Sequence, residues 1–309
     1  MQFALYVNPA LVEMLVQVQD TPCPMEGRLH LPTRPSGTAL HRAAQSTRPR
    51  FPRTFSLSDA VVTLLENHLF QFDNAISTSP QALAAFNAEL FNAQLTSITT
   101  GRTRPSTPAS LPDWHRVIYL APINNLLEDV NIKNAFDPLF EMNEERKWRS
   151  GGIVGTKGPW ILGREVPEGA GEKFQPLAVV WEQSTVSILN TDFELLRYAI
   201  QQNSISIDET GNAIVGNLGD REESLRRTIG HMWLRLAAHR VRIGIFTTHE
   251  RSIIFYVNNN RVEVSRVFRR GEGGLGNVLG GLMPLFTALS FLHPSDYLFD
   301  VGGPPILTK

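Results

Sequence analysis

Apolar side chains recur at helical spacing in the first half of the chain and at strand spacing in much of the second. Residues 58–76 and 80–98 repeat apolar positions every three or four residues, which predicts two amphipathic helices. Ser79 and Pro80 suit the start of the second helix, because serine caps free amide groups and proline fits a first turn. These two segments therefore predict a helical pair.

The middle of the chain mixes both patterns. Residues 114–121 predict a strand, and residues 123–143 predict one or two helices broken at Pro138. Apolar runs at residues 153–154 and 160–162 flank turn residues and predict two strands of a hairpin. The run 177–189 is the strongest strand signal in this part of the chain.

After residue 190, the spacing of apolar residues predicts helices at residues 192–202, 221–240 and 282–292. Opposite charges four residues apart support the second of these helices, in the pairs Glu222–Arg226 and Glu223–Arg227. Between the second and third helices, three apolar runs joined by short turns predict an antiparallel meander. Its strands are expected at residues 241–247, 252–257 and 261–268.

This order of elements predicts an α+β fold, with a mixed central sheet, flanking helices and a helical N-terminal part. Shifts in composition divide the chain into four segments. We predict an N-terminal segment with a basic, proline-rich linker (1–56), a helical region (57–147), an α/β core (148–270), and a glycine-rich loop with a C-terminal helix and tail (271–309).

Composition narrows the class of protein. The chain has 309 residues, 42% of them hydrophobic, a formal net charge of -1 and one cysteine, Cys23. These values predict a globular protein without an internal disulfide, in the cytoplasm or the nucleus. The run 279–292 is too short to span a bilayer, so we expect no membrane partner.

Glu182 is the one charged residue in the apolar run 177–189. A carboxylate in such a strand costs free energy unless it is paired, hydrogen-bonded or bound to a metal. A Mg²⁺-dependent nuclease needs two carboxylates around the metal and commonly a lysine. The alternative is that Glu182 forms a salt bridge with an arginine, for example one from residues 221–240.

The other members of such a metal site can be sought nearby in sequence. Glu165 is the best second metal ligand, because no aspartate occurs between residues 137 and 192. Glu128 could add a third carboxylate, and Lys173 or Lys157 could supply the lysine. In this hypothesis Glu182, Glu165 and Lys173 are the catalytic candidates, and Glu182, Glu165 and Glu128 hold Mg²⁺.

Residues 21–56 are rich in proline and arginine and contain a single acid, Glu26. They predict an extended or linking segment that could contact phosphates or form a solvated surface. The candidate nucleic-acid contacts are the arginines of this segment and of the 221–240 helix, namely Arg48, Arg50, Arg53, Arg226 and Arg227.

Residues 148–268 resemble the PD-(D/E)XK nuclease-like region of fungal uncharacterised proteins, including the region that precedes fungal-specific kinase-like domains. A strand pair, the strand with Glu182, and a helix leading into two strands with aromatic residues at 230–257 carry the resemblance. It implies a restriction-endonuclease-like core with Glu182 at the acidic motif position. Ser184 stands at the lysine position, and Gly152 lies near the expected aspartate.

The resemblance therefore implies the fold together with a degenerate site. The chain also lacks the HRD and DFG triplets of a kinase. We expect a pseudo-enzyme that binds a protein or a nucleic acid and needs no cofactor. The alternatives are an active nuclease with migrated carboxylates, which would use Mg²⁺, and a pure protein-interaction module.

Overall fold

The helices and strands of this chain form two units in a computed structural model. The structure describes residues 37–45, 50–100, 116–140, 145–150, 160–168, 171–182, 190–216, 219–248, 250–258, 260–269, 282–292 and 296. The first unit contains Val62–Trp148 and Phe268–Pro294, and the second contains Leu31–Val61 and Arg149–Val267.

The described residues contain eight α-helices and ten strands. The helices are α1 (Gly37–Ala44), α2 (Ala60–Thr78), α3 (Pro80–Thr100), α4 (Ala121–Glu128), α5 (Val130–Phe140), α6 (Asn190–Gln201), α7 (Glu222–His239) and α8 (Leu282–Ser290). The strands are β1 (Phe55–Leu57), β2 (Arg146–Ser150), β3 (Trp160–Glu168), β4 (Gly171–Glu182), β5 (Ile205–Ile207), β6 (Ala213–Val215), β7 (Ile243–Thr247), β8 (Arg251–Asn258), β9 (Arg261–Val264) and β10 (Phe268–Arg269). None of the helices in these ranges is long and apolar enough to cross a bilayer.

The first unit is helical, as its apolar spacing predicts. The helical pair α2 and α3 forms, and the Ser79 hydroxyl accepts a hydrogen bond from the amide of Ala82 at the start of α3 (3.4 Å). Phe72 of α2 packs its ring on Phe136 of α5 at 4.8 Å and on Phe291, just after α8, at 4.6 Å. Aromatic packing of this kind joins helices that are far apart in sequence.

Buried polar groups fix the end of α8 within the first unit. The guanidinium of Arg146 is buried and donates to the carbonyl of Ser290, the last residue of α8, at 3.3 Å and to the carbonyl of Leu292 at 2.6 Å. The indole of Trp148 donates to the Ser290 hydroxyl at 2.8 Å. The last carbonyl groups of a helix lack partners within the helix, so a buried arginine beside this end satisfies acceptors that would otherwise be costly to bury.

Two predictions for residues 114–143 are wrong. Residues Arg116–Leu120 form a short π-helix rather than a strand, because a short apolar run fits a buried helix as well as a strand. The helix break lies at Asp129 rather than at Pro138, which falls within α5. The carboxylate of Asp129 accepts the amides of Asn131 and Ile132 at 2.8 and 3.0 Å, so it caps the start of α5.

The second unit is built on a mixed sheet with the strand order β1-β9-β8-β7-β4-β3, continued by Arg149 and Ser150 of β2. Strands β4 and β7 are parallel, as are β1 and β9, and the remaining neighbours in this order from β9 to β3 are antiparallel. The predicted meander is confirmed in β7, β8 and β9. The predicted α+β class with a mixed central sheet is likewise confirmed.

Helices cover this sheet as the apolar pattern requires. α7 packs on β4, β7 and β6, while α1 packs against α7 and α6 against β1. The buried residues of α7 include Ile229, Met232, Trp233 and Leu236, which join the core formed with the sheet. A helix buried over most of its surface is expected in the core of a unit of this size.

The proline-rich stretch 21–56 is not simply an extended linker. Its described part contains helix α1, the buried residues Phe51 and Pro52, and strand β1. Phe51 meets Trp233 of α7 edge to face at 5.6 Å, and the Trp233 indole donates to the carbonyl of Pro52 at 2.5 Å. The prediction fails because α7 supplies packing that the local composition does not reveal.

The predicted strands at 153–154, 160–162 and 177–189 need partial revision. Trp160–Glu168 and Gly171–Glu182 form the hairpin β3–β4, while residues 153–154 and 183–189 lie outside the described residues. The register shifts between Leu162 and Gly163. A side chain at position 163 would come within 2.7 Å of the carbonyl oxygen of Gln175, so glycine permits the close approach at this bulge.

Candidate functional site

Glu182 and Glu165 lie at opposite ends of the β3–β4 hairpin. Glu165 pairs with Phe174, which lies eight residues before Glu182 in β4. A strand rises about 3.3 Å per residue, so the two backbone positions are roughly 26 Å apart. Since Mg²⁺ lies about 2.1 Å from its oxygen ligands, the two carboxylates cannot hold one ion. The prediction that they share a metal is wrong, because the hairpin register separates them.

Glu165 has a local partner. Its carboxylate forms an ion pair with Arg149 of β2, and only 19% of the Glu165 side chain is exposed. The Arg149 guanidinium also lies over the Phe174 ring, 4.6 Å from its centroid. These contacts give Glu165 a structural role at the edge of the sheet.

Of the remaining predicted members, the structure places Lys173 away from Glu182. Lys173 pairs in register with Val166, so it belongs to the Glu165 end of the hairpin. Glu128 is exposed at the end of α4 in the first unit. Gly152, Lys157 and Ser184 lie outside the described residues, as does the side chain of Glu182. Across the described ranges, no three His, Cys, Asp or Glu side chains are grouped so that they could hold a metal ion.

On its β7 side, Glu182 is in register with hydroxyl residues. Glu182 pairs with Thr247 at the ends of two parallel strands, and Thr247 pairs with Ser252 of β8. Thr247 and Ser252 are buried, and the Ser252 hydroxyl donates to the Thr247 hydroxyl at 2.9 Å. This polar row can donate hydrogen bonds, but it supplies no second carboxylate for a metal.

The predicted nucleic-acid contacts on α7 are already engaged with acids. Arg226 contacts Glu222 and Glu223, and Arg227 contacts Glu223 at 3.4 Å. The predicted pairs Glu222–Arg226 and Glu223–Arg227 are thus confirmed. Exposed pairs of this kind contribute little to stability, and they reduce the positive field that phosphates would meet.

The other three predicted arginines lie in the proline-rich stretch. Arg50 is exposed and Arg53 is half-buried, while Arg48 lies outside the described residues.

Helix α7 carries one stripe of four basic residues. The sequence prediction did not group these residues as a site. Arg227, His231, Arg235 and His239 follow one another at every fourth position. Residues four apart lie on the same face of a helix, so the four side chains form the basic stripe. The side chain of Arg227 is 57% exposed, His231 is half-buried, and Arg235 and His239 are each only 2% exposed. The stripe therefore runs from the surface into the core.

Trp181 of β4 forms the wall that faces the stripe. Its ring stacks on the imidazole of His231 at 5.5 Å, and the Arg235 guanidinium lies 5.2 Å from its centroid. The Phe246 ring also packs against Trp181, and the two ring centroids are 5.1 Å apart. An indole face attracts a cation, so Trp181 partly compensates the buried charge of Arg235.

Burial lowers the pKa of His231, Arg235 and His239, the three inner residues of the stripe. It lowers the pKa of His239 to about 3, with a further contribution from the Arg235 charge. It lowers the pKa of His231 to about 4, assisted by the charges of Arg235, Arg227 and His41. Burial also lowers the pKa of Arg235 to about 10. At neutral pH both histidines are therefore neutral and Arg235 remains a cation.

The recurrence of basic residues every four positions is readable in the sequence, but their burial is not. A polar stripe at helical spacing normally marks a solvated face. Comparisons with protein-family models, curated proteins and solved structures each gave no match.

Proposed function

We propose that this chain is a binding protein built on a nuclease-like α+β core, and that it binds a protein or a nucleic acid without cleaving it. The separation of roughly 26 Å between the backbones of Glu165 and Glu182 is the observation that carries the proposal. A metal-dependent nuclease needs carboxylates around one ion or two adjacent ions. The ion pair of Glu165 with Arg149 supports the same conclusion.

The cleavage assay tests this proposal directly. We expect the purified chain, incubated with Mg²⁺ or Mn²⁺, to cleave supercoiled plasmid and single-stranded DNA no more than the Glu182→Gln variant does. The physical reason is that Glu182 lacks Glu165 as a second ligand. Gel electrophoresis over a range of protein concentrations provides the measurement.

Glu165→Gln is the matched control, because it makes the same chemical change at the other end of the hairpin. Robust cleavage that disappears in Glu182→Gln and persists in Glu165→Gln would overturn the proposal. It would instead favour an active Mg²⁺-dependent nuclease in which Glu182 binds the metal with ligands other than Glu165.

The two classes of partner differ in how binding depends on salt. Phosphate contacts release counterions, so nucleic-acid affinity falls steeply as the salt concentration rises. The acidic partners of Arg226 and Arg227 weaken the case for a nucleic acid at α7. Salt-sensitive retention on immobilised DNA would identify a nucleic-acid partner, and absence of retention at low salt would favour a protein.

A further inference from the structure

The basic stripe contains a buried positive charge that no described carboxylate neutralises. Arg235 is 2% exposed, and its Nε has no hydrogen-bond partner. Its neighbours along the stripe, Arg227, His231 and His239, are all basic residues, and none of them can supply a negative charge. The described contact of its guanidinium is the ring of Trp181.

This arrangement is costly for the protein alone. A cation removed from water loses its hydration, and a buried charge normally requires an opposite charge or a set of hydrogen bonds. A cation–π contact compensates only part of that loss. The site would therefore gain from a negatively charged group supplied from outside the described residues.

Three ring nitrogens of the stripe histidines are also without partners. Nδ1 of His231 and both ring nitrogens of His239 are buried and have no hydrogen-bond partner in the described structure. Each imidazole carries at least one N–H, and the guanidinium of Arg235 offers a planar set of N–H donors. Guanidinium geometry suits two oxygens of one phosphate or carboxylate group.

The outer end of the stripe is accessible to solvent. Arg227 is exposed at the outer end and His231 is half-buried one turn further in. His41 of α1 is half-buried, and its charge acts on His231, so a second basic side chain lies near the same turn. An anion approaching from this end would pass Arg227, whose charge is partly offset by Glu223, before it reached Arg235.

We propose that the basic stripe of α7 binds a phosphate group, as inorganic phosphate or as a small phosphate monoester, between Arg235 and His231 against the wall formed by Trp181. The phosphate oxygens accept hydrogen bonds from the Arg235 guanidinium and from the imidazole of His231. The anion supplies the charge that the described residues around Arg235 lack. This proposal does not depend on the binding function proposed above, although Arg227 belongs both to the stripe and to the candidate nucleic-acid contacts.

Calorimetric titration of the full chain with inorganic phosphate, in chloride buffer of constant ionic strength, tests the proposal. We expect saturable binding of one phosphate, with a Kd of about 1 mM or below. A parallel titration with methyl phosphate separates the two sources, since the tighter ligand identifies whether the site prefers the free anion or a monoester. Arg235→Met should raise the Kd about tenfold or more, because it removes the buried cation and keeps a similar length.

Arg226→Gln is the matched control, since Arg226 lies on the same helix but is exposed and paired with Glu222. Its Kd should stay within about twofold of the unaltered chain. If Arg235→Met does not fold, His231→Gln decides the question, because His231 is only half-buried and its loss should weaken binding about fivefold.

Three results would overturn the proposal. The first is no saturable phosphate binding by the unaltered chain. The second is unchanged affinity in His231→Gln or in folded Arg235→Met, which would place the anion elsewhere. The third is phosphate binding that arises only in Glu182→Gln, which would identify the chain's own carboxylate as the partner of Arg235.

Discussion

Acidification from pH 7 to pH 4 will destabilise the second unit steeply, because His231 and His239 are buried as neutral side chains. Their pKa values in the folded protein are about 4 and about 3, below the ordinary value of 6.5. Below pH 6.5 the unfolded chain therefore binds protons that the folded chain does not. The stabilising contribution is complete above that pH and is lost as the pH falls toward 4 and 3.

The size of the effect follows from the same linkage. Each histidine that is protonated only in the unfolded state contributes a slope of about 1.4 kcal/mol per pH unit, so the pair contributes up to about 3 kcal/mol per unit between pH 6 and pH 4.5. Denaturant unfolding at a series of pH values measures this slope.

His239→Leu provides the comparison that isolates the histidine. The buried imidazole has no hydrogen-bond partner for either nitrogen, so an apolar side chain removes a polar group without breaking a described contact. We expect the variant to lose about half of the slope and to be more stable than the unaltered chain at pH 5. An identical slope in both proteins would contradict the burial of His239 as a neutral group.

Trp233→Ala will remove the main anchor between α7 and the proline-rich stretch. Trp233 is fully buried, meets the Phe51 ring at 5.6 Å and donates to the Pro52 carbonyl at 2.5 Å. Replacing a buried tryptophan by alanine costs about 3–5 kcal/mol through lost contacts and the cavity that remains. Trp233→Phe should cost about 1–3 kcal/mol, because it loses the donor to Pro52 but keeps a ring.

Limited digestion with trypsin shows whether this anchor holds the stretch. We expect faster cleavage after Arg50 and Arg53 in both Trp233 variants, because the segment around Phe51 and Pro52 loses its support. Trp148→Phe is the control, since it makes the same change in the first unit and removes the bond to Ser290. Equal cleavage rates after Arg50 and Arg53 in Trp233→Phe and the unaltered chain would contradict the anchoring role.

Elements whose signal is local could be predicted from the sequence. The spacing of apolar residues predicted α2 and α3 within two residues at each end, because those helices bury one continuous stripe. Short turns predicted the β7–β8–β9 meander, since a short connection leaves antiparallel pairing as the simple solution.

Elements that depend on distant partners could not be predicted in this way. Helix α1 has only eight residues, too few for stability in isolation, and it packs against α7. The first half of β4 contains Pro176, which argues against a central strand. The structure accommodates this proline because β4 pairs with β7 only over Ala178–Glu182.

The candidate site likewise combines features that the local sequence predicts with features that depend on tertiary packing. Glu182 was identified from a charge in an apolar strand, and the structure places it at the end of β4. Its distance from Glu165 depends on the register of the hairpin, which the sequence does not specify. The basic stripe has a visible four-residue repeat, but the sequence does not show that Arg235 packs on Trp181 or that Arg235 and His239 are buried.

A distance measurement between spin labels at positions 165 and 182 tests the separation of the two carboxylates most directly. The labels would be attached to Glu165→Cys and Glu182→Cys in a chain that also carries Cys23→Ser, and pulsed electron resonance would report their separation. A distribution centred near 26 Å, broadened by the label arms, is the expected result. A dominant distance below about 15 Å would place Glu165 and Glu182 within reach of one metal site and would contradict the binding function proposed for this chain.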